Sequence, residues 1–458
     1  MSGAHVCPTA PPEEQPCIGL IGMGEMGGMY ARRLSEAGWK RILVCDRPAR
    51  FEASVMSVPG VTVVQDGHYV SRAADFIVYS VEAEFIDAVV AQYGPSTKVG
   101  AVVGGQTSVK APEQKAFEKY LPSDVEIVSC HSLHGPSVSP EGQPLVLIQH
   151  RASDRSLRLV EDILRPFGSR YVYMAYEEHD VVTANTQAVT HAAFLSMGTA
   201  WHASLSYPWE QGLYVGGIET VKVNIMLRIY ANKWHVYAGL AILNPSARIQ
   251  IDQYSQSCTE IFKLMLEGKK DALKERLFRA RDKVFPAGGN GKCPILLSES
   301  ILDQFTLGSK STSQSSAIIK SAPPNSHLSI LAMVDSWASL NILPLGHLAL
   351  AATPIFRMWI GVAEALCRSE EKLNRAIDAA ISDTAHRSDD LEFVVAARGW
   401  SQCVSFGSFK LYEERFKHTA EFFKGRFLEA TVVGGKMIKT ILDDAALREK
   451  EGQSIITR

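Results

Sequence analysis

Six residues, Gly22-Met23-Gly24-Glu25-Met26-Gly27, constrain this chain more than any others. They follow a short apolar run, Cys17 to Ile21, and precede an amphipathic stretch that reaches about Ala37. Glycines at this spacing between a strand and a helix each have a use. The first permits a tight turn, the second lets the main chain approach a pyrophosphate, and the third lets the helix pack on the strand, while the helix N-terminus faces the anion. GxGxxG alone is a weak signal, but the strand and helix around it make it the fingerprint of a dinucleotide-binding Rossmann unit.

A second strand, Arg41 to Cys45, ends in Asp46-Arg47, at about the spacing where the ribose is read. Asp46 can accept from a free 2′-hydroxyl, whereas Arg47 can pair with a 2′-phosphate, so the residues alone leave NAD and NADP both open. Gly22, Gly24, Met26, Gly27, Asp46, Arg47 and Ser80 form the expected cofactor set. Apolar strands are expected at 76–81, 99–103, 125–130, 144–148 and 171–174, filling a doubly wound α/β sheet over residues 17–175.

The segment His131-Ser132-Leu133-His134-Gly135-Pro136 follows the run from Val125 to Cys130. Ligands of open α/β sheets settle outside the carboxyl ends of the strands, so His131 stands where a nicotinamide ring would lie and can take a proton while hydride leaves. A second loop, Gly104-Gly105-Gln106-Thr107-Ser108-Val109-Lys110, brings Ser108 to the same edge. Its hydroxyl either orients the imidazole or substrate, or caps a helix starting near Pro112.

Beyond Tyr176-Glu177-Glu178-His179-Asp180 the texture changes to long helical segments rich in Ala, Leu, Met and Trp, the mark of a second, all-α domain. Gln187 and His191 lie four apart on one helix face, as a buried cleft or a core histidine would have them. A helix over 221–242 carries Arg228 with no acidic residue three or four positions away, a candidate for holding a carboxylate ligand. The expected division is a loose tail over 1–16, the Rossmann domain over 17–175, a helical substrate or dimerisation domain over 176–300 and a helical extension over 301–458.

A net charge of −2 provides no basic field for nucleic acid or an anionic membrane. No uninterrupted apolar stretch is long enough to span a bilayer. The first sixteen residues lack the features of a signal or transit peptide, and eight scattered cysteines without CxxC spacing suit a reducing, cytoplasmic setting and no metal site.

Taken in order, GxGxxG at Gly22, Thr107-Ser108-Val109-Lys110, His131 in HSLHGP, Glu178-His179-Asp180, Gln187-Ala188-Val189-Thr190-His191 and Leu227-Arg228-Ile229-Tyr230 resemble the prephenate dehydrogenases, most closely their long, NADP-dependent fungal form, over about residues 17–440. The resemblance implies oxidative decarboxylation of prephenate to 4-hydroxyphenylpyruvate in tyrosine biosynthesis. It makes His131 the catalytic base, Ser108 its partner and Arg228 the holder of a substrate carboxylate, with His191 and Gln187 in the pocket. Ser132, Leu133 and His134 depart from the bacterial HPMxG pattern. The rivals are a Rossmann-plus-helical dehydrogenase of 3-hydroxy acids, which usually has a lysine on the helix that here carries Gln187 and His191, and a dinucleotide sensor without turnover.

The extra length carries an internal echo. His191, Leu195, Met197 and Trp201 match His327, Leu331, Met333 and Trp337 in one register, 136 residues apart. Leu227-Arg228-Ile229-Tyr230 is set against Phe356-Arg357-Met358-Trp359, and Lys274-Glu275-Arg276 against Glu413-Glu414-Arg415. Chance likeness between amphipathic helices is the alternative to a duplicated helical domain. A duplicated chain would work as a monomer with a pseudo-twofold helical region, an undivided one as a homodimer, and His327 and Arg357 would be remnants or would complete one active site.

Overall fold

The computed structural model describes residues 5–48, 58–136, 138–286, 296–297, 323–351 and 353–450. They divide into two compact units, Met1–Thr183 and Ala184–Arg458. The boundary expected at residue 300 lies outside the described residues.

The first unit is one eight-stranded sheet in the order β3-β2-β1-β4-β5-β6-β7-β8. Its strands are β1 (Ile18–Ile21), β2 (Ile42–Cys45), β3 (Thr62–Val63), β4 (Phe76–Tyr79), β5 (Val102–Gly105), β6 (Glu126–Ser132), β7 (Pro144–Arg151) and β8 (Arg170–Tyr173). Strands β1 to β6 are parallel, β7 runs antiparallel to β6, and β8 is parallel to β7. Helices α1 (Glu25–Ala37), α2 (Gly67–Ala73), α3 (Ile86–Tyr93), α4 (Ala111–Tyr120) and α5 (Asp154–Leu164) connect them, and α6 (Tyr176–Thr183) closes the unit.

Most strand positions were visible because buried parallel strands are apolar on both faces. Ile18, Leu20, Val44, Phe76, Val78, Val128, Leu145 and Leu147 form one core with Tyr30 and Leu34 of α1 and Ile163 and Leu164 of α5. At roughly 1.5–3 kcal/mol for each large apolar side chain removed from water, this layer provides the unit's main cohesion. The two-residue β3 is too short to leave a period in the sequence. β6 runs two residues past the expected Cys130, so His131 belongs to the strand and pairs with Val146 of β7.

Three expectations are corrected here. The loose tail is held from residue 5 onward, since the Gln15 amide donates to Pro8, Ala10 and Gly38 carbonyls and accepts from Lys40 N, while His5 Nδ1 meets Asp162 at 2.9 Å. Ser108 does not cap α4, because the N-cap residue is Lys110. The N–H groups of Lys110 and Ala111 instead donate to Asp180, at 2.7 and 2.8 Å. The helix expected over 221–242 is two helices, because Asn232 turns its side chain back onto the Arg228 carbonyl and the chain breaks at 231–233.

The second unit is helical. It opens on a π-helical turn, Ala184–Ala188, followed by α7 (Val189–Ala203), α8 (Gly217–Tyr230), α9 (Trp234–Leu243), α10 (Pro245–Leu266) and α11 (Lys270–Val284). After the undescribed stretch come α12 (Leu328–Ser339), α13 (Pro344–Ala351), α14 (Pro354–Cys367), α15 (Glu370–Ser382), α16 (Arg387–Phe406), α17 (Phe409–Phe423) and α18 (Phe427–Lys450). No described helix is long and apolar enough to cross a membrane.

A buried ion pair joins the ends of β5 and β6. Lys110 Nζ meets Glu113 Oε1 at 2.9 Å and also donates to the carbonyls of Gly105 and Cys130, both at 2.9 Å, with neither side chain reaching solvent. Glu113 further accepts from Thr107 and Ser129 hydroxyls, and its carboxylate occupies the space where a side chain on residue 105 would stand, which requires glycine there. Removing one member of such a pair strands the other in a dry site, so Lys110→Met should cost about 3–5 kcal/mol. Denaturant unfolding of the purified variant measures this, and a loss below about 1 kcal/mol would show that the pair is not structural.

Candidate functional site

In the first unit the glycine loop leads from β1 into α1. Gly22 has φ 102, and a side chain there would strike the Ser80 carbonyl, while one at Gly27 would strike the carbonyl of Gly22. Around Gly24, by contrast, the position of a Cβ is open. Gly24 is also the N-cap of α1 and offers no side chain to its N–H groups. An open cradle over uncapped amides fits the pyrophosphate of a dinucleotide. Met26 is the second residue of α1, and Ser80 lies just past β4, its N–H bonded to the Ile21 carbonyl at 2.8 Å. Asp46 accepts from Met23 N at 3.2 Å and from Arg47 N at 2.7 Å, which turns its carboxylate toward the loop backbone and leaves Arg47 exposed.

At the end of β6, His131 is buried and its Nδ1 lies 2.7 Å from His179 Nε2. His179 Nδ1 lies 2.9 Å from Asp180 Oδ1. Both oxygens of Asp180 accept main-chain N–H groups of Lys110 and Ala111, so the carboxylate is an acceptor and the proton between it and His179 sits on Nδ1. His179 Nε2 is therefore an acceptor, His131 Nδ1 carries the proton donated to it, and His131 Nε2 is left with a free lone pair. The tautomers are assigned from this network.

Burial holds both imidazoles well below the usual histidine range, reinforced at His131 by His179, Lys110 and His134 and at His179 by Lys110. His134 is also lowered by burial, against a hydrogen bond from its Nδ1 to the Gly135 carbonyl. Burial raises Asp180, offset by the two main-chain donors and Lys110. Ser108 is half-buried in the loop between β5 and α4. Gln106, in the same loop, has both amide atoms buried without a partner among the described residues.

In the second unit Gln187 lies in the π turn and His191 in the first turn of α7. The His191 ring stands edge-on to Tyr237 of α9, 4.6 Å between centroids. Its Nδ1 is buried without a partner among the described residues, and burial lowers its pKa to about 3. Burial raises Tyr237, and the charge of Arg228, in the last turn of α8, opposes that rise. Tyr237 thus joins His191 to Arg228.

The sequence did not single out His179, Asp180, Tyr237 or Gln106 as site residues. An adjacent His-Asp pair behind two glutamates reads as a solvated helix start. A tyrosine at helical spacing reads as core, and only the Glu178-His179-Asp180 motif offered a usable sign.

A glycine cradle, an exposed arginine at the ribose position and a strand-end imidazole with a free nitrogen are the parts of a nicotinamide-dependent dehydrogenase. Residues 17–103 match the family described as NADP oxidoreductase coenzyme F420-dependent, and residues 188–443 match a family of 6-phosphogluconate dehydrogenase C-terminal domains. The probable prephenate dehydrogenase [NADP(+)] of Schizosaccharomyces pombe is 52% identical over 430 residues, 93% of this chain and 98% of the relative. The prephenate dehydrogenase [NADP(+)] of Saccharomyces cerevisiae is 50% identical over 436 residues, 94% and 95% of the two chains. The crystal structure of prephenate dehydrogenase from Aquifex aeolicus is 20% identical, with a TM-score of 0.46 over 56% of this chain and 95% of that one. The chain belongs to the family of fungal NADP(+)-dependent prephenate dehydrogenases.

With both pKa values depressed, His131 and His179 should stay neutral well below pH 6.5. NMR titration of the histidine C2–H resonances checks this, and protonation of either ring near pH 6.5 would contradict the depression and the tautomer assignment resting on it.

Proposed function

We infer that this chain oxidises and decarboxylates prephenate to 4-hydroxyphenylpyruvate with NADP+ as acceptor, and that one observation carries the mechanism: His131 Nε2 is kept bare by a hydrogen-bonded chain ending at Asp180. The bound nicotinamide supplies the hydride acceptor. His131 accepts the C4 hydroxyl proton as C4 becomes a ketone. Loss of the ring carboxylate as CO2 then sends an electron pair through the ring to that oxygen, and His131 returns the proton to the resulting phenolate. Protons balance over the cycle. The base is used unprotonated, so its depressed pKa keeps it ready at neutral pH, at some loss of proton affinity.

Ser108 orients the substrate hydroxyl from the loop after β5. The Gln106 amide, open at donor and acceptor alike, is suited to the nicotinamide carboxamide. Arg228 holds a substrate carboxylate, with Gln187 and His191 as further pocket residues and Tyr237 positioning His191 and Arg228. Asp46 is occupied by the loop backbone, which leaves recognition of the 2′-phosphate to Arg47 and favours NADP over NAD. Gly22, Gly24, Met26, Gly27 and Ser80 shape the pyrophosphate cradle.

Steady-state kinetics with prephenate test the assignments. His131→Asn should lower kcat by about 10² to 10⁴ with KM within several-fold, and a kcat within about threefold of the parent would remove His131 from the chemistry. Arg228→Ala should raise KM with a smaller effect on kcat, and an unchanged KM would end its carboxylate role. Arg47→Ala should cut the preference for NADP over NAD by at least about tenfold in kcat/KM. An unaltered preference would move phosphate recognition elsewhere.

A further inference from the structure

The helices of the second unit recur in order. α7, α8, α9, α10 and α11 have 15, 14, 10, 22 and 15 residues, and α12, α14, α15, α16 and α17 have 12, 14, 13, 20 and 15. The short α13 falls where the first set has a 3-10 turn, Pro208–Gln211, and both begin on proline.

The ends of α7 and α12 match bond for bond. Ser204 N donates to Ala200 O, Leu205 N to His202 O and Ser206 N to Trp201 O. Leu340 N donates to Ser336 O, Asn341 N to Ala338 O and Ile342 N to Trp337 O, every partner 136 positions later. Leu205 and Asn341, at φ 49 and 57, are two of the three non-glycine residues with positive φ among those described. Non-glycine residues enter this region rarely, so its recurrence at the same register is not a property of amphipathic helices in general.

The packing is reciprocal. α7 packs on α16 and α12 on α10; α9 packs on α17 and α15 on α11; α10 packs on α16 and α8 on α14. Each contact has its mirror, as across an isologous interface.

The register also shows what the second set lacks. The cap N–H bonds of α8 and α14, Ala231 to Leu227 and Arg368 to Glu364, align Arg228 with Ala365. The pairing of Arg228 with Arg357 fails, because Arg357 lies in the first turn of α14, whereas Arg276 and Arg415 occupy the same position in α11 and α17. Gln187 corresponds to Pro323, and prolines 323 and 324 prevent a helix from extending backward there. His327, the counterpart of His191, has φ 51 and is tied by Nδ1 to Glu219 at 2.6 Å, beside Lys222.

The second set instead reaches the π turn through α13. Asn185, two residues before Gln187, accepts from Gln250 through Oδ1, which fixes its amide so that Nδ2 donates to His347 Nε2 at 3.3 Å. The His347 proton is then on Nδ1, which is buried without an acceptor among the described residues. We propose that the helical unit is a tandem duplication folded as a pseudo-twofold pair, in which only the first copy keeps a substrate face and the second contributes His347 as a donor to a substrate oxygen. This rests on the reading that the Gln187–His191 face binds prephenate.

Four variants and a titration test it. His347→Ala should raise KM for prephenate about five- to tenfold with kcat nearly unchanged, and His347→Gln should recover most of that loss. The Gln variant carries the test should the Ala variant not fold. His327→Asn keeps a donor at the position of Nδ1 and suits positive φ, so its KM and kcat should match the parent, whereas His191→Asn should raise KM. Calorimetric titration with prephenate without cofactor should give one site per chain. A rise in KM for His191→Asn with none for His347→Ala or His347→Gln would overturn the proposal alone, as would two sites per chain or a KM effect at His327→Asn equal to that at His191→Asn. No effect at 191 or 347 would overturn the site reading as well.

Discussion

The Asp180 carboxylate does three jobs with two oxygens. It closes the N-terminus of α4, seventy residues earlier in the chain, by accepting two main-chain N–H groups that no side chain of the helix itself satisfies. It compensates the positive end of that helix. It also accepts from His179, which sets the proton positions along the line to His131. A protonated or displaced Asp180 would therefore loosen a helix and reverse a tautomer together, so structure and chemistry share one charge.

The Lys110–Glu113 pair lies beneath this line and has a related effect. It ties the carbonyls at the ends of β5 and β6 to one ammonium, fixing the edge from which His131 and the Ser108 loop project. Its positive end also disfavours protonation of both histidines, adding to their burial. A cation placed to hold two strands thus also biases the base toward its neutral form, and a neutral residue of similar shape would supply neither the bonds nor the field.

Features governed by local spacing were legible in the sequence. The glycine loop, the strands of the parallel sheet and His131 at a strand end all follow from periodicity and turn chemistry. What was not legible depends on groups meeting across long separations. His131 and His179 are 48 residues apart, and Lys110 and Glu113 look like surface charges until the sheet closes over them. The break at 231–233 was hidden because apolar residues continue on both sides of it. The tail was misread because its order comes from the Gln15 amide, whose partners include residues of α1's C-terminal turn and beyond. Local composition cannot report such a contact.

The matched caps of α7 and α12 have an evolutionary consequence. In a dimer built from two copies of one gene product, every substitution is made twice, and a change that helps one side of the axis while harming the other is lost. Two copies within one chain escape that constraint. Pro323, Ala365 and the Glu219–His327 contact are substitutions or contacts on one side only. Each is an asymmetry that a gene encoding a single copy cannot encode.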